Sequence, residues 1–217
     1  GLAGLVERHP GATLIIAHAG IADMAELARH TAGRKGVLFD TSTWSPVDLL
    51  DFYRQIPPEQ VMWASDYPYG QEPGSLLIAL KTAIRAGYRD KELRAMLAGT
   101  ANALADGKPL PEPSSPIGPD SLDQSIQLAR IHQYLSMATP LLWTRQPDTM
   151  ALLTLAITTC AERNGHVEVT DRIRELLEVA RALWDDLPNL TDDTARLHRV
   201  RLIFRMIHLA DIESVTA

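Results

Sequence analysis

The sequence predicts an α/β fold over its first half and an all-α helical bundle over its second, and three observations carry that reading. Three short apolar runs, at 12–17, 36–39 and 61–64, break abruptly into His18-Ala19-Gly20, Asp40-Thr41-Ser42 and Ser65-Asp66-Tyr67-Pro68. Helix-length segments separate these runs. After a proline-rich stretch, four longer segments are apolar at helical spacing. Runs that are continuously apolar rather than alternating fit strands covered on both faces. Strand, polar tip and helix then repeat, which implies a parallel sheet with right-handed crossovers and puts the three tips along one edge. In an α/β barrel that edge carries the chemistry, so Asp66 is the first functional candidate. A full barrel takes about 250 residues, and only half of this chain has that character. The expectation is therefore a partial (β/α)8 TIM barrel of about three parallel strands.

Each element has its own signal. The opening segment LAGLVERHP reads as a helix entering the first strand, with His9 in a loop at the inert face. Residues 21–31 carry Ile21, Met24, Ala25, Leu27 and Ala28 at near-helical spacing. Residues 46–55 follow Ser45, an N-cap candidate, with Pro46 at the first helical position. Residues 75–86 and 90–97 read as further helices, and 99–104 as a closing turn into a last short one, where Asn102 serves backbone contacts. Residues 107–119 hold five prolines and no periodicity, the composition of an extended, semi-rigid linker. Helices are then expected at 120–138, 148–163, 167–186 and 192–212, with start signals at Thr170-Asp171 and Thr191-Asp192 and turns at Asn164-Gly165 and Pro188-Asn189. Four such helices suit a small antiparallel bundle. The domains are accordingly 1–107, a linker at 108–119, and 120–217.

Composition narrows the function classes. The net charge of −6 and a pI near 5.6 argue against a nucleic-acid footprint. The basic cluster Arg196, His198, Arg199, Arg201 and Arg205 lies beside Asp185, Asp186, Asp192 and Asp193, so a solvated helix face is its default reading. No apolar stretch reaches the roughly 18 residues of a membrane span. Cys160 is the only cysteine. It permits no internal disulfide, points to a cytoplasmic home, and reads as a buried small hydrophobe.

The segments HPGATLIIAHAG, FDTS, VMWASDYPYG and GTANAL, in this order and spacing, resemble the amidohydrolase-2 family. That family includes metal-dependent hydrolases and aminocarboxymuconate-semialdehyde-decarboxylase-like enzymes on a (β/α)8 barrel. The resemblance spans 1–107 and implies that the three strands are the sixth to eighth. It implies that Asp66 is a metal ligand and handles a proton, and that His18 sits beside the metal and positions or activates water. Asp40 falls on an acidic position whose role varies. The implied cofactor is a divalent metal, with zinc the expected ion. The family also places a His-x-His pair on the first strand and a histidine on the fifth, and no His-x-His pair occurs in this sequence. The chain is thus expected to be the carboxyl-terminal fragment of a larger enzyme, inactive by itself.

Simpler readings stand beside these. An Asp after a strand more often caps the next helix than binds a metal, although the ASDYP context reverses those odds for Asp66. His18 alone would pass as a structural histidine. Asp40 is read chiefly as capping the turn through Thr41 and Ser42. Trp44 and Tyr67 either line a pocket with Asp40 or only seal the barrel top. His132, His166, His198 and His208 lack metal-ligand spacing and receive no site. The expected activity is metal-activated hydrolysis of a small carboxylated or cyclic substrate, or nonoxidative decarboxylation at the same site. The rival is a noncatalytic barrel remnant whose bundle binds another protein. Homo-oligomerisation stays open.

Overall fold

The structure, a computed structural model, describes residues 2–21, 24–70, 72–162 and 165–217. The beginning of the helix expected at 21–31, the last residue of the one expected at 148–163, and the turn residue Asn164 fall on positions outside these. The chain divides into two compact units, Gly1–Leu122 and Asp123–Ala217.

In the first unit, helix α1 (Leu2–Arg8) leads into β1 (Leu14–Ile16), α2 (Met24–Thr31), β2 (Val37–Asp40), α3 (Pro46–Gln55) and β3 (Val61–Met62). The strands form one parallel sheet in the order β1-β2-β3, with Leu14 opposite Val37, Ile16 opposite Phe39, and Phe39 opposite Val61. This agrees with the α/β expectation. Ser45 caps α3 as expected, its Oγ accepting from the Asp48 amide at 3.4 Å. The third strand is shorter than its apolar run because the backbone changes partners. Thr41 N–H still donates to Met62 O, but Trp63 N–H turns to Met96 O at 2.9 Å. Met96 lies in a π turn (Ala95–Gly99) that joins α5 (Asp90–Arg94) to α6 (Thr100–Ala105), so this segment blocks the outer edge of β3. Helix α4 (Glu72–Arg85) packs on α3. Phe39, Phe52, Tyr53 and Tyr88 form an aromatic series, edge-to-face at Phe39–Phe52 and Tyr53–Tyr88, whose centroids are each 5.3 Å apart. All four rings are fully buried, and each would cost about 3–5 kcal/mol to truncate.

The stretch after α6 is extended and runs along this unit. Arg54 donates from Nε to Pro119 O at 2.8 Å and from its guanidinium to Asp120 O. Ser114 donates to Glu59 Oε2 from both its amide and its hydroxyl, and Lys35 pairs with Glu112. A Cβ on Gly118 would lie 2.4 Å from Arg54 Cα, so only glycine allows this approach to α3.

The second unit holds α7 (Ile126–Trp143), α8 (Asp148–Cys160), α9 (Val167–Asp185) and α10 (Asp193–Thr216). Each packs on its neighbours in a ring that closes from α10 back to α7. Leu135, Leu142, Leu153, Ile173, Leu177 and Ile203 fill the centre. Helix α7 starts later and ends later than 120–138. It runs through Pro140, at a cost of about 3 kcal/mol for a proline in a helix interior. Against that cost, Leu142 is fully buried and the Trp143 ring lies 5.2 Å from Phe204. Helix α9 begins at Val167, with Thr170 inside it and donating to His166 O, whereas Asp192 caps α10 by accepting from Ala195 N at 2.6 Å. Gln127 Nε2 donates to Thr159 O and Glu162 O, satisfying carbonyls at the end of α8. Among the described residues no helix is long and apolar enough to cross a membrane.

Cys160 is 1% exposed in this core, and burial pushes its thiol up to about 12. The thiolate is the reactive form, so the native thiol should resist alkylation at about pH 8 and become labelled only on unfolding. Mass spectrometry after iodoacetamide treatment checks this, and rapid labelling of the folded chain would show the packing to be wrong.

Candidate active site

The carboxyl ends of all three strands lie on one edge of the sheet because the strands are parallel. His18 follows β1 by two residues, Asp40 ends β2, and Asp66 follows β3 by four. Strand β2 separates the other two, so the backbones of β1 and β3 are about 10 Å apart, two strand spacings. His18 and Asp66 are thus on flanking rather than adjacent strands.

Asp40 and Ser42 meet His18 directly. Asp40 Oδ1 accepts from the backbone N–H of His18 at 2.8 Å, from Ser42 N–H at 3.1 Å, and from the Ser42 hydroxyl. The His18 ring places Nδ1 2.9 Å from Ser42 O and 2.8 Å from Ser42 Oγ. Ser42 was not a sequence candidate. The only signal for it was a hydroxyl two residues beyond an acidic strand end, which reads equally well as turn chemistry.

Backbone strain collects at this edge. His18, Ala19 and Ile21 have φ of 55°, 51° and 51°, and Asp66 has φ of 58°. Left-handed backbone costs an L-residue roughly 1–2 kcal/mol, and a β-branched residue such as Ile21 adopts it rarely. The Asp40 hydrogen bond to His18 N–H helps hold the β1 end in this conformation. Beyond β3, Gly70 N–H closes a tight loop onto Asp66 O at 2.8 Å, and the Ser75 hydroxyl ties Ser65 O at 3.2 Å. Strained residues persist where surrounding structure over-determines them, and such places are often functional.

Among the pocket-lining candidates, Asp40 is committed to Ser42 and His18. Trp44 is 38% exposed and Tyr67 76% exposed. A cavity of about 340 Å3 lies at the opposite edge, among Val6, His9, Pro10, Leu14, Arg34 and Val37. It opens beside the amino ends of β1 and β2, away from the polar tips.

A catalytic divalent ion takes about three protein ligands. Among the described residues no group of three or more His, Cys, Asp or Glu side chains is placed to hold one. One imidazole and one carboxylate from non-neighbouring strands fall short of that set, so these residues do not by themselves make a metal centre.

Residues 2–104 match the model of the family described as Amidohydrolase. Divalent metals are typical of that family. No curated protein and no solved structure matches the chain.

Proposed function

We propose that the β1–β3 edge forms part of the active site of a metal-dependent hydrolase acting on a small carboxylated or cyclic substrate. The observation that carries this is the strained parallel edge itself, with the His18 ring held by the Asp40–Ser42 loop on the flank opposite Asp66. Asp66 is the carboxylate proposed to bind the ion, zinc by preference. His18 is proposed to orient and deprotonate the attacking water, a role within the usual range of a positioned imidazole.

The test uses the longest in-frame product that contains this sequence. Metal content and turnover of a panel of cyclic amides, lactones and small unsaturated carboxylates are measured for the wild type, Asp66→Asn and His18→Gln. Asparagine tolerates the left-handed backbone at residue 66 much as aspartate does, so this variant isolates the ligand from the fold. The expected outcome is a bound divalent ion that Asp66→Asn loses. His18→Gln should retain the ion while kcat falls about 10²- to 10⁴-fold. Unchanged metal occupancy in Asp66→Asn would refute the ligand assignment. Carbon dioxide release in place of hydrolysis would assign the decarboxylase branch, and a folded, metal-free wild type would favour the noncatalytic reading.

A further inference from the structure

We infer that Asp40 and Ser42 are positioning residues that fix His18 in the tautomer carrying its proton on Nδ1, leaving Nε2 as the basic nitrogen. Asp40, as a carboxylate, only accepts, so the Ser42 hydroxyl bonded to it is the donor. Having given its proton to Asp40, Ser42 Oγ can offer only a lone pair to the ring nitrogen 2.8 Å away. The Ser42 carbonyl, 2.9 Å from the same nitrogen, also only accepts. Both contacts require a proton on Nδ1, and a neutral imidazole with its proton there holds its lone pair on Nε2.

This is the less favoured tautomer of a free histidine side chain, so the loop has to impose it. Asp40 acts twice in doing so. It orders Ser42 through the Ser42 amide and hydroxyl, and it holds the His18 backbone N–H that sets where the ring begins. Among the described residues none shares Nε2. A second group that fixes ring orientation in this way is what makes an imidazole a directed base rather than a mobile one.

What Nε2 acts on rests on the hydrolase reading, but the tautomer does not. It is therefore read in this chain alone, without metal or substrate. The chain is labelled with 15N histidine, and two-bond proton–nitrogen correlation spectra are recorded at about pH 8.5, some two units above the ordinary histidine pKa. His18→Gln assigns the His18 signals among the seven histidines. The wild type should show a pyrrole-type Nδ1 and a pyridine-type Nε2. Asp40→Ala should move both nitrogens toward values averaged between tautomers. Ser42→Ala, which keeps the carbonyl acceptor, should move them part of the way, and Ser42→Thr should restore the wild-type pattern. A wild-type ring protonated on Nε2 overturns the proposal. So does a wild-type pattern retained in both Asp40→Ala and Ser42→Ala, or in Ser42→Ala alone if Asp40→Ala does not fold. A positive tautomer result beside a metal-free full product would leave the clamp standing and remove the hydrolase reading.

Discussion

His132→Ala should weaken the helical unit by about 1–3 kcal/mol, the range for leaving a buried hydrogen-bonding group without its partner. His132 on α7 places Nδ1 2.7 Å from Asp211 Oδ1 on α10, and the two side chains are 19% and 11% exposed. Without the imidazole, this oxygen of Asp211 keeps, among the described residues, only the Ser214 hydroxyl, at 3.4 Å. A carboxylate so far removed from water has then lost its principal donor, and that desolvation cost is what destabilises the variant. With typical domain stability at about 5–15 kcal/mol, the loss is a large share of the whole. The readout is hydrogen exchange of amides in α7 and α10, which reports this contact locally. A double variant, His132→Phe with Asp211→Leu, should be less damaged than the sum of its single variants, since no charge is then left unpaired. Strictly additive effects would show that the pair carries no coupling.

Nothing in the sequence marks that pair. Its members are 79 positions apart, and nothing local marks His132 as different from the other helical histidines. The strand tips were legible because an apolar run ending in His18 or Asp66 is a local pattern, and parallel topology carries local patterns to one edge. What periodicity does not show is lateral order, and that order places β2 between the two candidates. As a turn-capping group Asp40 would bond the Ser42 N–H, and its bond to that amide is of this kind. The bond to His18 N–H, across 22 positions, has no sequence signal. Helix limits moved for a different reason. Helix α7 continues through Pro140 because Leu142 is buried beyond it, an instance of packing overriding propensity.

Gly70→Ala should damage the Asp66 loop more than any other single methyl group added to this edge. An ideal Cβ at residue 70 would lie 1.7 Å from Ser65 O and 2.9 Å from Ser65 C. Both are backbone atoms, so no side-chain rotation relieves the overlap. Ser65 O cannot retreat freely, because it also accepts from the Ser75 hydroxyl, and Gly70 N–H is bonded to Asp66 O. The loop must open by about 1 Å or more, and Asp66, already at positive φ, lies within it. Overpacking of this kind costs about 1–3 kcal/mol. In a product competent for catalysis, a displacement of about 1 Å at a reacting group is enough to lose roughly 10²-fold in rate. Gly74→Ala is the control. Its added methyl meets nothing within 4 Å and lies in the first turn of α4, so it should be neutral or stabilising by a few tenths of a kcal/mol. Urea midpoints for the two variants separate the steric effect from the general one of losing a glycine. If Gly70→Ala matched Gly74→Ala in stability, the tight closure of the loop around Asp66 would be wrong, and with it the geometric basis for treating that carboxylate as positioned.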